Sequence, residues 1–478
     1  MKLKGFILFA ILGNTAFAQQ VFDVEKHWVN VSPDVHTEVK SFAFFQLDSL
    51  TNKDASQISL SAAPDIAGAY QGDRMAWRTG ANLVLKANLK EKLGLMADYR
   101  FGYANQRPVP YQSLLQAKSY FTTSLKDEHF LYHDLRGRIA YNPNKYIQLQ
   151  AGLDHLFIGE GDRSLLLGNQ GIPNPFAQLR AKLWKLEYYF IQQIWREGRS
   201  NHFSPKGNAS HYLTFKADKH WSIGIFESVV YSMKDTLYNR GFEVEYLNPL
   251  IFFRPQEYSV GSTDNVLIGI NTAYQWKKNM FYAQVIIDDF FLAEIRARNR
   301  WWANKFGFQI GYKGWSDQGE NQYFYRTEFN LVRPFTYSQV NVDNVFGNQA
   351  LAVSHPLGSN FVEIYQEVAV QRNSWKIQVW AQAYLKGLDS LTGNTSFGGD
   401  IYRSYNNRPE EYNFTIGRGE TYRALQLGVN VGRRVLNDNI QVFAEPRYIV
   451  SRLEGKTAHN FFFTAGISRA IGADRRNY

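Results

Sequence analysis

The sequence contains no cysteine, which excludes a disulfide framework and a lipid carried on a processed N-terminal cysteine. Beyond its leader it has no apolar run of about eighteen residues, so no helix of ordinary length can cross a bilayer. Mean hydropathy is −0.37. Catalytic signatures are missing too. There is no HExxH, GxSxG, GxxxxGKS or GxxxxGKT, and "GEGDRS" lacks the third glycine of a dinucleotide fingerprint. Adjacent Asp288 and Asp289 in "VIIDDFF" point to opposite faces of a strand and cannot share an acid–base task. His133, His155 and His355 stand alone, as structural or solvated histidines do. The expectation is a non-catalytic protein without metal or cofactor.

The first residues, "MKLKGFILFAILGNTAFAQQ", pair lysines with a short apolar core and small residues at Ala16 and Ala18, the pattern of a cleavable export signal. Residues 1–18 are read as that signal and 19–478 as one domain, because no linker, low-complexity stretch or strong internal repeat interrupts them. Aromatic residues make up 16% of the chain, with 29 Tyr, 35 Phe and 11 Trp. In an exported chain without spanning helices, that enrichment suits the aromatic girdles of an outer-membrane β-barrel. The net charge is +10. Nucleic acid is excluded as a partner, since the Lys and Arg form no basic stripe. Outer-membrane lipid, lipopolysaccharide phosphates, an acidic polysaccharide or simply a charged lumen remain.

Period-2 alternation recurs along the chain. In "KLGLMADYRFGY", Leu93, Leu95, Ala97, Tyr99, Phe101 and Tyr103 share one face; in "ALQLGVNVG", Leu425, Leu427, Val429 and Val431 oppose Gln426, Gly428, Asn430 and Gly432. "KIQVWAQAYL" sends Ile377, Val379, Ala381 and Ala383 outward, and "NFFFTAGIS" groups Phe461, Phe463, Ala465 and Ile467. A soluble sandwich would also alternate, so the connections decide. Short links near 142–144, 276–279, 372–374 and 436–438 interleave with long ones near 158–175, 232–263, 333–360 and 386–420. Short turns at one end and long loops at the other mark a transmembrane antiparallel barrel, all-β, of roughly eighteen strands with both termini in the periplasm.

Unusual chemistry gathers in the long loops, which this parity places outside the cell. "YLNPLIFFRPQEYSVGSTDN" spans 246–265, "GEGDRSLLLGNQGIPNPF" 159–176, and "VRPFTYSQ" and "SHPLGSN" fall between 332 and 360. "FGGDIYRSYNNRPEEYNF" runs from 397 to 414. Prolines 249, 255, 334 and 356 stiffen these loops. One reading has Arg254, Arg333 and Arg163 bridging loops to Glu257, Asp264 or Asp162, a cap over the barrel mouth. The other makes the same rim a sugar-binding surface. Tyr258, Trp301, Trp302, Tyr337, Tyr402 and Tyr405 would stack on sugar faces, while Arg254, Asn265, Arg333, Asn360 and Arg403 bind hydroxyl, uronate or phosphate groups. Arg163, Glu257, Asp264 and His355 complete that candidate set.

"IGEGDRSLLL", "YLNPLIFFRPQEYSVGSTDNVLIG", "VRPFTYS" and "HPLGSNF" together resemble the Wzi-like outer-membrane family associated with capsule assembly, especially its Bacteroidota-type members, some described as RemB-like gliding-motility proteins. The resemblance runs from about residue 145 to the C-terminus. It implies an eighteen-stranded barrel that anchors surface polysaccharide as a lectin without catalysis. The stretch Gln19 to Asp34 is short for the periplasmic helical bundle attributed to the capsule-binding founder. Two other functions stay open: a structural partner of a gliding-motility or secretion apparatus, and a passive porin.

Overall fold

The computed structural model describes residues 39–41, 57–71, 74–89, 92–105, 122–124, 129–169, 173–197, 204–234, 241, 243–249, 264–390, 393–435 and 440–469. Residues 1–18, read above as an export signal, lie outside them. Eighteen strands close into an antiparallel barrel. In chain order they are β1 (Gln57–Gln71), β2 (Arg74–Leu89), β3 (Leu93–Asn105), β4 (His129–Tyr141), β5 (Ile147–Asp154), β6 (Asn174–Leu183), β7 (Leu186–Arg196), β8 (Pro205–Lys216) and β9 (Trp221–Ser232). The second half comprises β10 (Asn265–Trp276), β11 (Asn279–Asp289), β12 (Lys305–Gln318), β13 (Asn321–Val332), β14 (Phe361–Arg372), β15 (Trp375–Leu388), β16 (Glu420–Val435), β17 (Ile440–Leu453) and β18 (Lys456–Arg469). β18 pairs with β1 from Ile66↔Ile467 to Gln71↔Phe462, which closes the wall.

The expected alternation is present and is inverted relative to a water-soluble protein. Val368 is 52% exposed beside Glu367 at 2%, and Val379 is 50% exposed beside Gln378 at 2%. Apolar residues therefore cover the outer wall, where hydrocarbon receives them, and polar residues fill the lumen. The strands are rich in β-branched and aromatic residues, which fit a pleated surface. One ladder lapses beside a residue that cannot donate. β16 and β17 pair up to Gly428↔Arg447 and resume at Val431↔Ala444, leaving a gap opposite Pro446, whose ring nitrogen carries no hydrogen.

Turns between even and odd strands are short throughout, and the long connections all leave the opposite end. At the short-turn end, cations stack on aromatic rings: Lys145 on Tyr146, Lys185 on Trp184, Lys277 on Trp276 and Arg433 on Trp375, all 5.0 to 5.4 Å from the ring centroid. Such pairs suit the headgroup layer, with the ring in the interface and the charge in water. An epitope tag near Ser390 or Lys456 should be reached by antibody on intact cells, and one near Asn142 only after the outer membrane is opened. Labelling of the Asn142 tag on intact cells would reverse this orientation.

Candidate functional site

The connection after β5 does not stay at the rim. At Asp154, whose carboxylate takes a 2.6 Å bond from Arg138 Nη2, the chain turns inward, and residues 155–169 run inside the barrel, all buried except Asp162. Each turn of this segment meets a wall side chain. Gln284 of β11 donates to Ile158 O at 3.0 Å and accepts from Leu165 N at 2.8 Å. Gln309 of β12 donates to Arg163 O at 3.0 Å. Lys313 Nζ, also on β12, reaches Glu160 O at 2.7 Å and Glu160 Oε2 at 3.2 Å, both side chains fully buried. Arg326 of β13 pairs with Asp162 at 3.0 Å, and Glu328 accepts from the amides of Asp162 and Arg163. Gly269 of β10 leaves the space that Leu166 enters, since a Cβ there would stand 2.4 Å from Leu166 Cδ2. Residues Val39–Ser41 pair with Leu156–Ile158 as a short antiparallel strand, so the chain ahead of the barrel meets the same inward segment.

A second layer covers this one. Residues 333–360 leave β13 and reach across to β7 and β8. Lys206 Nζ donates to Val345 O at 2.9 Å, and Arg196 N donates to Asn348 Oδ1 at 2.9 Å. Two bonds tie the layers together: Tyr337 OH to Leu165 O at 2.8 Å and Gly168 N to Val353 O at 2.7 Å. Tyr337 N donates to Asp288 Oδ2 at 2.8 Å. A register shift between Ile287 and Asp289 lets both Asp288, facing in, and Asp289, facing out, bond to Lys305 Nζ at 3.5 and 2.6 Å.

Most sequence-selected rim residues hold this cap from within. Arg163 is buried against Asp162 at 2.6 Å, with its guanidinium 5.4 Å from the Tyr365 ring centroid. Arg333, expected to bind a carboxylate, instead donates to Asn304 O at 2.7 Å and Trp301 O at 3.0 Å, and burial lowers its affinity for a proton. Backbone carbonyls win because the rim loops fold back on themselves and leave their C=O groups facing inward, needing donors. Asn360, in a left-handed conformation (φ 58°), accepts from Gly417 N at 2.8 Å and donates to Arg418 O at 2.9 Å. Arg403 donates to the carbonyls of Ser390 and Thr395, both at 2.9 Å. Tyr402 OH reaches Leu351 O at 3.3 Å. Asp264 accepts from Tyr246 OH at 2.7 Å, and Asn265 is buried at the start of β10. Arg254, Glu257 and Tyr258 lie outside the described residues.

The aromatic rings of the rim do come together. Trp302 is buried between Phe335, Tyr405 and Trp301, with centroids 5.7, 4.7 and 6.1 Å away, and Arg408 lies 4.1 Å above its ring. Trp301 and Tyr405 keep part of their surface open, and Tyr412 is exposed. Periodicity gave no sign of Glu160, Lys313, Arg326, Lys386 or Asp389 as cap residues beyond placing the strand members on the wet face. Lys386 Nζ bonds to Leu357 O, and to Ser359 O and Gly399 O at 3.0 and 2.9 Å. Asp389 takes the amides of Phe397 at 2.6 Å and Gly399 at 3.1 Å. Burial pushes its carboxyl above the ordinary range, and those amides pull against the shift.

His355 is fully buried. Its Nδ1 accepts from Leu357 N at 3.1 Å, so the proton sits on Nε2 and is given to Glu363 Oε2 at 2.8 Å. The ring is neutral. Burial depresses its proton affinity below the ordinary value, with Glu363 opposing.

No family model and no curated protein matches the chain. Among solved structures, Escherichia coli Wzi, titled an outer membrane protein involved in group 1 capsule assembly and a carbohydrate-binding β-barrel, aligns with a TM-score of 0.54 and 11% identity over 88% of this chain and 85% of that one. The fold is that of an outer-membrane β-barrel. Pseudomonas aeruginosa OprD aligns at 0.47 with 9% identity over 91% of this chain and 100% of that one. Acinetobacter baumannii OccAB1 aligns at 0.46 with 8% identity over 89% and 99%.

Replacing Lys313 with Met removes the ammonium paired with the buried Glu160 carboxylate and should cost about 3–5 kcal/mol. Adding Glu160→Gln should restore most of that loss, read from the temperature at which the barrel band shifts on gels. Equal stability of the single and double variants would contradict the pairing. For His355 the sign is set by its depressed folded-state proton affinity: its contribution is complete above about pH 6.5 and is lost as acid protonates the unfolded loop first. Protease nicking within 354–359 should therefore rise from pH 7.5 to 5.5 in the wild type and change less in His355→Gln.

Proposed function

We propose that this is a non-catalytic outer-membrane barrel, exported by its leader, that binds or anchors a surface polysaccharide at its extracellular end. The observation that carries the reading is the seating of residues 155–169 inside the lumen with residues 333–360 stitched over them. Loops already bonded to the wall and to one another suit holding a polymer, because less loop ordering is needed on binding. The fold likeness to a barrel titled as carbohydrate-binding supports the same reading. The net charge of +10 favours an acidic polymer. The partly open rings of Trp301, Tyr405 and Tyr412 beside Arg408 and Arg418 supply stacking faces and donors on the rim.

The test uses the purified protein and the isolated polysaccharide of the source strain. Binding is expected in the wild type, weakened several-fold by Tyr412→Ala, since a ring contact contributes about 1 kcal/mol beyond area burial. If the polysaccharide does not bind and crosslinking captures a protein at this rim, the reading gives way to a partner in a motility or secretion apparatus. Conduction discriminates the porin reading: little steady current is expected in a planar bilayer. Gly168→Val, whose Cβ would fall 2.2 Å from Ser354 O, must part the two layers and should raise that current. Large stable steps from the wild type would favour the porin.

A further inference from the structure

The connection from β11 to β12 leaves a run of large apolar side chains uncovered. Phe290, Phe291, Leu292 and Ile295 are 48, 55, 47 and 37% exposed. They follow the outward end of β11, where Val285 and Ile287 lie partly exposed beside Phe308 and Phe306 of β12 and the outward Asp289 is held by Lys305 at 2.6 Å, and they lead onto the one-turn helix Leu292–Arg296. Three arginines come next, Arg296, Arg298 and Arg300, all exposed. None makes an ion pair among the described residues. The contrast with the neighbouring arginines is sharp: Arg333, Arg408 and Arg418 are each occupied by carbonyls, a carboxylate or aromatic rings. Glu294, the sole acid in 290–304, is taken by Asn299 Nδ2.

The backbone that presents these cations is strained and fixed. Arg298 and Arg300 have φ of 53° and 58°, a left-handed conformation costly for residues with a Cβ. Asn413 N to Asn299 O at 3.1 Å and Phe414 N to Arg300 O at 3.0 Å hold it against the 411–414 segment. An apolar face bordering the lipid-facing wall, edged at the extracellular end by three guanidiniums that make no ion pair among the described residues, matches one kind of surface: acyl chains below and phosphate above.

We propose that residues 290–300 form a binding site for a phosphorylated glycolipid of the outer leaflet, its acyl chains against Phe290, Phe291, Leu292 and Ile295 and its phosphates on Arg296, Arg298 and Arg300. The site lies on the outer wall and is independent of polysaccharide binding at the cap, so either can fail while the other stands. The test is native mass spectrometry of the full chain in neutral detergent, titrated separately with bisphosphorylated lipid A, dephosphorylated lipid A and inorganic phosphate. The wild type should retain bisphosphorylated lipid A and release the other two. The triple variant R296A/R298A/R300A should bind it on the order of a hundredfold more weakly, the factor that three cations at about 1 kcal/mol each convert to. Phe291→Ser with Leu292→Ser should also weaken it. Unchanged affinity in the triple variant overturns the site, and so does inorganic phosphate binding as tightly as the lipid. Should the triple variant fail to fold, the wild type decides alone: binding must weaken as salt is raised, and salt-independent retention overturns the proposal.

Discussion

In hydrocarbon an amide without a partner has no water to turn to, and every other feature of this molecule follows from the need to pair them all within the wall. Closure from β1 to β18 meets that need. Alternation then has only one arrangement: side chains pointing out must be apolar, and those pointing in are free to be polar. The lumen inherits dozens of donors and acceptors that the wall does not use. Glu328, Arg326, Gln284, Gln309 and Lys313 are what remain when the wall's own demands are satisfied, and residues 155–169 answer them.

Inward segment and cap are each bonded chiefly to the wall, and further bonds tie the two layers to each other. The inward segment is held by side chains of β11 to β13, and the cap by Leu165 O and Val353 O of the two layers together with Asp288 of the wall. The charges of the inward segment each meet one of opposite sign: Glu160 on Lys313, Asp162 on Arg326 and Arg163 on Asp162. Such pairs add little over an apolar core of equal shape, yet losing one member is expensive, so they enforce register more than they add stability. His355 illustrates the economy: one neutral ring orders the Leu357 amide and the Glu363 carboxylate at once.

The barrel was legible because its signal is local. Ile377 and Val379, or Leu425 and Leu427, declare their face from neighbours two residues away, and turns such as 142–144 and 372–374 declare the end of the barrel by their length. The cap was legible only as a place. Arg333 was rightly set on the rim, but its partners are carbonyls of Asn304 and Trp301, which carry no sequence signature. Glu160 and Lys313 stand 153 residues apart and meet across a lumen whose geometry exists only after closure. Tyr337 and Trp302, chosen as stacking rings, are buried; an aromatic in a loop reads the same whether it faces a sugar or another loop.

The inward segment also constrains the history of each molecule. It is made between β5 and β6, yet its bonds are to β11, β12 and β13, which are synthesised later and must already stand as a curved sheet before it can be seated. The six-residue pairing of β1 with β18 then closes a single wall around a segment whose partners lie more than a hundred residues further along the chain.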